Sequence, residues 1–439
     1  MTGIAAGLTG FAVLLGLMAI RIPIAVAMLA VGIGGYGLVN GWMPLLAYLK
    51  TNTYYQFSTY SLSVIPLFVL MGEFATHAGM SRALYRAAAA FLGHLRGGLA
   101  MASIGGCAAF GAICGSSLAT AATMGQVALP EMRRYNYSGA LSTGSLAAGG
   151  TLGILIPPSV ILVLYALMAE QNIAKMFVAA MIPGIIAAIG YMIAVAVYVR
   201  IRPGEGPAAP AASWTERLAS LRETWSIILI FGVVVVGMYG GWFTPTEGAA
   251  VGAFGAFVLA VLHGGMRMGG LITCLQGTAK TSAMIFLIML GAEMFNAFLS
   301  ATQTPMLAAT MIAESGLSPM MVLAAILLLY LAMGCVMDSM SMLLLTIPIF
   351  YPIIAGLDFG MSREDTLIWF GILAVVVVEV GLITPPVGMN VFVINGMARD
   401  VPMWESFRGV MPFLISDILR ILLLVAFPAI TLGLVRALG

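Results

Sequence analysis

Charge is scarce in this sequence: 8% of its 439 residues are Asp, Glu, Lys or Arg, where a soluble domain carries roughly 25%. That excludes an ordinary water-soluble domain. Histidine is scarcer still. His77, His94 and His263 stand far apart, and no His-Glu-His or Ser-His-Asp grouping accompanies them, which argues against an enzyme of acid–base or nucleophilic type. The four cysteines, Cys107, Cys114, Cys274 and Cys335, lie inside apolar runs without metal-ligand spacing and read as small buried hydrophobes. No Gly-x-x-x-x-Gly-Lys-Ser/Thr loop is present, so the chain carries no ATP site of that kind. The net charge is +2, with basic residues set between apolar runs and not gathered on one face, so no nucleic-acid surface is expected.

Apolar residues fill that space, at 61% of the chain. A spanning helix needs about 20 apolar residues to cross roughly 30 Å of hydrocarbon. Runs approaching that length recur throughout, among them Ile227–Gly241 and Leu367–Ile383. About a dozen such segments fit, giving an all-α polytopic membrane protein in contact with the lipid bilayer. The first run, Ile4–Ala19, lacks a basic flank and a cleavage site, and so reads as a membrane helix, not a removable signal. The 32 methionines are packing or lipid-facing residues.

One stretch breaks the pattern. Arg200–Arg222 is rich in Pro, Gly and charge and reads as a linker followed by a surface helix. It separates a first repeat, 1–199, from a second, 225–439, with 200–224 between them. Gly153-Ile-Leu-Ile-Pro157-Pro158 in the first half matches Gly381-Leu-Ile-Thr384-Pro385-Pro386 in the second, and Pro183 matches Pro412. The positive-inside bias places Arg82, Arg86, Arg200, Arg202, Arg217, Arg222, Arg267, Arg399 and Arg408 in the cytoplasm. It puts Lys50, Lys175, Arg363, Arg436 and both termini outside, and leaves Lys280 unassigned. The expected plan is two inverted-topology repeats, each with a re-entrant hairpin and an interrupted helix, arranged as an elevator-type scaffold and transport core. A hairpin at about 97–131 would enter from the cytoplasm, followed by a broken helix at about 140–169. Their counterparts are a hairpin entering from the periplasm at about 319–356 and a broken helix at about 366–397.

Four segments would interrupt a helix at bilayer depth: Gly111–Thr120, Gly149–Ser159, Gly334–Ser341 and Gly381–Asn390. Irregular backbone survives there only inside protein or beside water. Freed carbonyls and hydroxyls are hard neutral oxygens suited to Na⁺, and the amides at half-helix starts suit a carboxylate.

Gly115-Ser-Ser-Leu-Ala-Thr-Ala-Ala122, Ile156-Pro-Pro-Ser159, Phe243-Thr-Pro-Thr-Glu-Gly-Ala-Ala-Val-Gly252 and Ile383-Thr-Pro-Pro-Val-Gly-Met-Asn390 together resemble the large subunit of tripartite ATP-independent periplasmic (TRAP) transporters, of the DctM type in the ion-transporter superfamily. The resemblance covers essentially the whole chain. It implies Na⁺-coupled uptake of small organic acids, a C4-dicarboxylate by default, across the bacterial inner membrane. It also implies a separate small four-helix membrane subunit (DctQ-like) and a periplasmic substrate-binding protein (DctP-like). No cofactor is expected beyond Na⁺ as coupling ion. By resemblance, Ser116, Ser117, Gly153 and Pro158 frame one Na⁺ site, and Gly334, Asp338, Thr384 and Gly388 the other. Thr120, Ser159, Ser339 and Asn390 are the candidate substrate-binding residues. The alternative is a self-sufficient Na⁺/dicarboxylate or citrate carrier of the same superfamily.

Acids and bases in the apolar zone are costly. Asp338 is expected to ligate Na⁺ or hold its hairpin tip. Glu379, a turn before the second break, is open to a site role or a structural one. Glu73 and Glu293 read as structural partners of neighbouring helices, Glu247 as a helix cap, Arg21 as an interface anchor, and Asp417 with Arg420 as an ion pair.

Overall fold

The computed structural model describes residues 3–314 and 316–438. Among the described residues the chain is helical without strands, and it divides into two sets of ten α-helices. The first set is α1 (Ile4–Ala19), α2 (Ile24–Asn40), α3 (Trp42–Phe57), α4 (Val64–His77), α5 (Met80–Leu92), α6 (Gly98–Cys114), α7 (Ser117–Arg134), α8 (Gly139–Leu155), α9 (Val160–Met168) and α10 (Ile173–Ile201). The second is α11 (Trp214–Tyr239), α12 (Pro245–Leu262), α13 (Met268–Ala301), α14 (Thr304–Glu314), α15 (Pro319–Gly334), α16 (Ser339–Ala355), α17 (Arg363–Gly381), α18 (Met389–Met397), α19 (Met403–Ala426) and α20 (Ala429–Leu438).

Local chemistry sets these boundaries. Ser138, Ser159, Asn172, Ser213, Thr244, Ser318 and Ser362 each stand just before a helix and accept an amide of its first turn, which satisfies a donor the helix itself leaves free. At Thr244 the cap is reciprocal, because Glu247 returns a bond to the Thr244 amide.

Five helices are by themselves long and apolar enough to cross a membrane: α10, α11, α12, α13 and α19. Ile4–Ala19, Ile24–Asn40, Gly98–Cys114, Pro319–Gly334, Ser339–Ala355 and Ala429–Leu438 are shorter apolar helices. Two bent pairs can each make one span: α3 with the segment containing α4, bent by 59°, and α8 with α9, bent by 45°. On α10 the exposed residues Ile185, Ile189, Ile193 and Val197 recur every fourth position, while Ala187, Tyr191, Val195 and Val199 are buried. An apolar stripe facing outward on a long helix is a surface made for lipid.

The halves exchange partners. α2 packs on α13, and its counterpart α12 packs on α4; likewise α1 meets α14 while α11 meets α5. Each half therefore completes the other's outer layer. Inside lie two helices enclosed by protein: every residue from Ala140 to Leu155 of α8, and from Thr366 to Gly381 of α17, is buried.

The segment between the halves departs from expectation. The charged stretch from Trp214 continues unbroken past 224 as one 26-residue helix, α11. The helix-breaking residues are confined to 202–213. This short strap is tied down by hydrogen bonds from Gly97 N to Gly206 O (2.9 Å), Ala209 N to Gly93 O (2.9 Å) and Ser138 N to Glu205 O (3.0 Å).

Candidate transport site

In the first hairpin α6 ends at Cys114, Gly115 takes a left-handed conformation (φ +64°), and the extended Ser116 caps α7, its hydroxyl accepting from Ala119 N at 3.4 Å. In the second, α15 ends at Gly334, and Asp338 caps α16 by accepting from Ser341 N at 3.0 Å. Ser116 and Asp338 are thus equivalent caps, and Ser117 and Ser339 are equivalent first residues. Capping, a tip-holding role, is what Asp338 is seen to do.

Both tips face one cavity of about 760 Å³, lined by Ser116, Ser117, Asp338, Ser339 and Ser341 among largely apolar walls. The starts of α7 and α16 bring partial positive charge to it, a setting for an anion.

The interrupted helices stand behind the tips. Both double-proline stretches break their helix: α8 gives way to α9 across 156–159, and α17 to α18 across 382–388. The Pro157-Pro158 and Pro385-Pro386 bonds are cis. At the first break a methyl group on Gly153 would lie 2.5 Å from the Thr120 hydroxyl and 3.0 Å from Ser116 O, and one on Gly115 would lie 3.5 Å from Pro158 O. Ser116, Gly153, Pro158 and Thr120 therefore converge. At the second, Gly388 N donates to Cys335 O (3.4 Å), Gly334 packs on Gly381, and the Thr384 hydroxyl turns back to Val380 O (2.6 Å).

Of the candidate substrate residues only Ser339 lines the cavity. Thr120, Ser159 and Asn390 are fully buried and set back from it. Ser159 caps α9, and Asn390 Nδ2 donates to Ala147 O at 3.3 Å. Among the described residues the Thr120 hydroxyl and the Asn390 Oδ1 have no hydrogen-bond partner. A buried oxygen without a hydrogen bond has a lone pair open to a cation.

Two acids depart from or extend the sequence reading. Glu73, expected in a structural pair, lines the cavity beside Gly277, and no ion pair among the described residues reaches it. Glu379 accepts from the Ser339 hydroxyl at 2.7 Å. An acid in an apolar helix was the only signal for either. Glu293 does meet its neighbour, accepting from Tyr48 at 2.7 Å.

A second cavity, of about 710 Å³, is lined by Asn52, Gln56, Glu170, Glu293, Asn296 and Tyr351. The first cavity meets α16 at Ser339–Ser341 and the second meets it at Ile347–Pro352, ten residues or about 15 Å along the helix. In the second hairpin, α16 thus runs from one crevice to the other.

The family profile described as "Tripartite ATP-independent periplasmic transporter, DctM component" matches residues 11–430. The chain belongs to this family. The TRAP large permease DctM for C4-dicarboxylates from Pseudomonas aeruginosa is 37% identical over 87% of this chain and 87% of its own length. The sialic acid TRAP large permease SiaM from Vibrio cholerae is 30% identical over 85% and 86%. In fold the chain is similar to the crystal structure of the YdaH transporter from Alcanivorax borkumensis, at a TM-score of 0.63 and 14% identity, covering 89% of this chain and 90% of that one. As a TRAP large permease the protein is a multi-pass membrane transporter, not an enzyme. Membership implies a small membrane subunit and a periplasmic binding protein as partners.

Proposed function

We propose that this chain carries small organic acids, a C4-dicarboxylate by default, across the bacterial inner membrane in symport with Na⁺, receiving its substrate from a periplasmic binding protein. One observation carries this reading: both hairpin tips present capped helix starts to a single cavity, with unpartnered oxygens at Thr120 and Asn390 set behind them. A carboxylate suits the helix starts, and hard oxygens suit Na⁺.

In this reading Na⁺ binds behind each tip, among Ser116, Ser117, Gly153 and Pro158 in the first half and Gly334, Asp338, Thr384 and Gly388 in the second. Its binding orders the tips and completes the substrate pocket. The hairpins and interrupted helices then move as an elevator core against α2, α4, α12 and α13, opening one crevice as the other closes. Both termini lie on the periplasmic side. Each entering Na⁺ contributes about 2.3 kcal/mol per 100 mV of membrane potential.

The test is uptake of a labelled C4-dicarboxylate into proteoliposomes holding this chain and its small subunit, with the binding protein outside. An inward Na⁺ gradient is expected to drive accumulation that K⁺ does not. Uptake indifferent to Na⁺ would overturn the coupling, and uptake without the binding protein would favour a self-sufficient carrier.

A further inference from the structure

Thr151 stands one turn before the end of α8, where the first interrupted helix breaks, and two residues before Gly153, which meets Thr120 and Ser116 of the first hairpin. Its hydroxyl lies 3.1 Å from that of Tyr191 on α10. Tyr191 donates in turn to Asp417 on α19 at 2.9 Å, and Asp417 is held by Arg420 at 2.7 Å. All four side chains are 4% exposed or less.

The chain of bonds has one direction. An ionised carboxylate only accepts, and a tyrosine has a single proton to give. Tyr191 gives it to Asp417, so at the 3.1 Å contact Thr151 is the donor, sharing its proton with Ala148 O of its own helix at 2.7 Å. Each bond polarises the next toward the charged end. The Tyr191 ring is itself fixed, with Phe413 edge-on at 5.4 Å and the Arg420 guanidinium 6.0 Å from its centre. By the register that matches Gly153 with Gly381 and Pro183 with Pro412, Thr151 corresponds to Glu379 and Tyr191 to Arg420. That second pair shares no hydrogen bond or ion pair among the described residues. The relay therefore reaches one break and not the other.

We propose that Tyr191 is a positioning residue: it extends the anchorage of the buried Asp417–Arg420 pair to Thr151 and so fixes the end of α8, with Gly153, against the first hairpin. What this does for Na⁺ rests on the function proposed above; the anchorage itself does not.

Hydrogen exchange is followed at 152–160, with 380–388 as the reference, in the full chain in nanodiscs and Na⁺-free buffer. Thr151→Val keeps the shape and removes the donor, while Tyr191→Phe removes its acceptor. Each is expected to speed exchange at 152–160 about fivefold, the scale of one net hydrogen bond, and to leave 380–388 within about twofold of the parent. The double variant should be no faster than Tyr191→Phe, because both substitutions cut the same link. Thr151→Ser, which keeps the hydroxyl, should exchange like the parent. No acceleration at 152–160, equal acceleration at both breaks, multiplied effects in the double variant, or Thr151→Ser as fast as Thr151→Val overturns the proposal. If Tyr191→Phe does not fold, Thr151→Val against Thr151→Ser decides, because both leave the Tyr191–Asp417 bond in place. In proteoliposomes Thr151→Val should raise half-saturating Na⁺ with the maximal rate within about twofold of the parent, and Thr151→Ser should restore it. A fall in maximal rate with half-saturating Na⁺ unchanged would mark a merely structural link and overturn the positioning role. Uptake indifferent to Na⁺ in the parent, with 152–160 loosened in the variants as expected, would defeat the transport reading and leave the anchorage standing.

Discussion

Gly111 packs its backbone directly on the backbone of Gly153, so that the first hairpin and the first interrupted helix cross with no side chain between them. The second half repeats the crossing: a methyl group on Gly381 would lie 2.6 Å from the Gly334 Cα. These contacts bring each tip against the break behind it. The glycines are required by the site's geometry before any ion is considered.

The two crossings differ in tightness. A methyl group on Gly111 would overlap the Gly153 backbone, whereas one on Gly334 would lie 3.1 Å from the Gly381 Cα and needs only a small shift. Gly111→Ala should therefore cost about 1–3 kcal/mol as overpacking. Gly334→Ala should cost less, because its methyl would lie 3.1 Å from the Gly381 Cα and Val378 O and the backbone need give by only a few tenths of an ångström. Thermal unfolding of the two variants in one detergent checks this, and an equal loss would refute the difference in packing.

The site's skeleton was legible because backbone interruption leaves marks in sequence. Gly115-Ser116, Gly334 to Asp338 and the two double prolines announce themselves as residues that helices at bilayer depth avoid, and breaks stand at all four places. Depth and direction were less legible. Ser159 and Asn390 looked like cavity residues, yet one caps α9 and the other bonds Ala147 O. Which face of a buried helix meets the cavity depends on packing between distant segments, and α8 and α17 are buried on every side. That Glu73 also reaches the cavity was hidden for the same reason: its neighbour Gly277 lies two hundred residues away, and only the pairing of α4 with α13 brings them together.

Asp338 carries a test that separates capping from transport. Its carboxylate accepts the Ser341 amide at 3.0 Å, and Asp338→Ala should cost about 1 kcal/mol for that bond. Asn caps nearly as well, so Asp338→Asn should unfold with the parent. If the charge also serves Na⁺, Asp338→Asn will need more Na⁺ for half-maximal uptake, as Ser116→Ala will at the matching cap. Parental uptake by both variants at limiting Na⁺ would remove both residues from the cation sites.

The strap at 202–213 should respond to pH. Partial burial opposes ionisation of Glu205, but hydrogen bonds from the Tyr198 hydroxyl, the Arg202 guanidinium and the Ser138 hydroxyl outweigh it and hold the carboxyl below its usual range. A group whose pKa is lowered by folding stabilises the fold above its unfolded value and loses that contribution as pH falls through the folded one. Proteolytic cleavage within 203–213 should therefore quicken as pH drops below the ordinary carboxylate range. In Glu205→Gln it should be faster at neutral pH and flat across the same interval. A parent as pH-insensitive as the variant would rule the carboxylate out as the fastening.

α19 carries a buried ion pair. Asp417 and Arg420 are 1% and 4% exposed, their side chains meet at 2.7 Å, and Tyr191 of α10 donates to the other Asp417 oxygen at 2.9 Å. Among the described residues Arg420 Nε and Nη1 have no hydrogen-bond partner; Asp417 holds the guanidinium by its ion pair and the Tyr191 ring lies against it. Removing one member leaves a bare buried charge and should cost about 3–5 kcal/mol, whereas replacing both with apolar residues of similar volume is often neutral or stabilising. Asp417→Leu and Arg420→Met are therefore each expected to lower the unfolding temperature sharply, and the double variant to recover most of the loss. Additive losses would mean that each residue is held by neighbours other than its partner, with α19 anchored to α8 and α10 by packing alone.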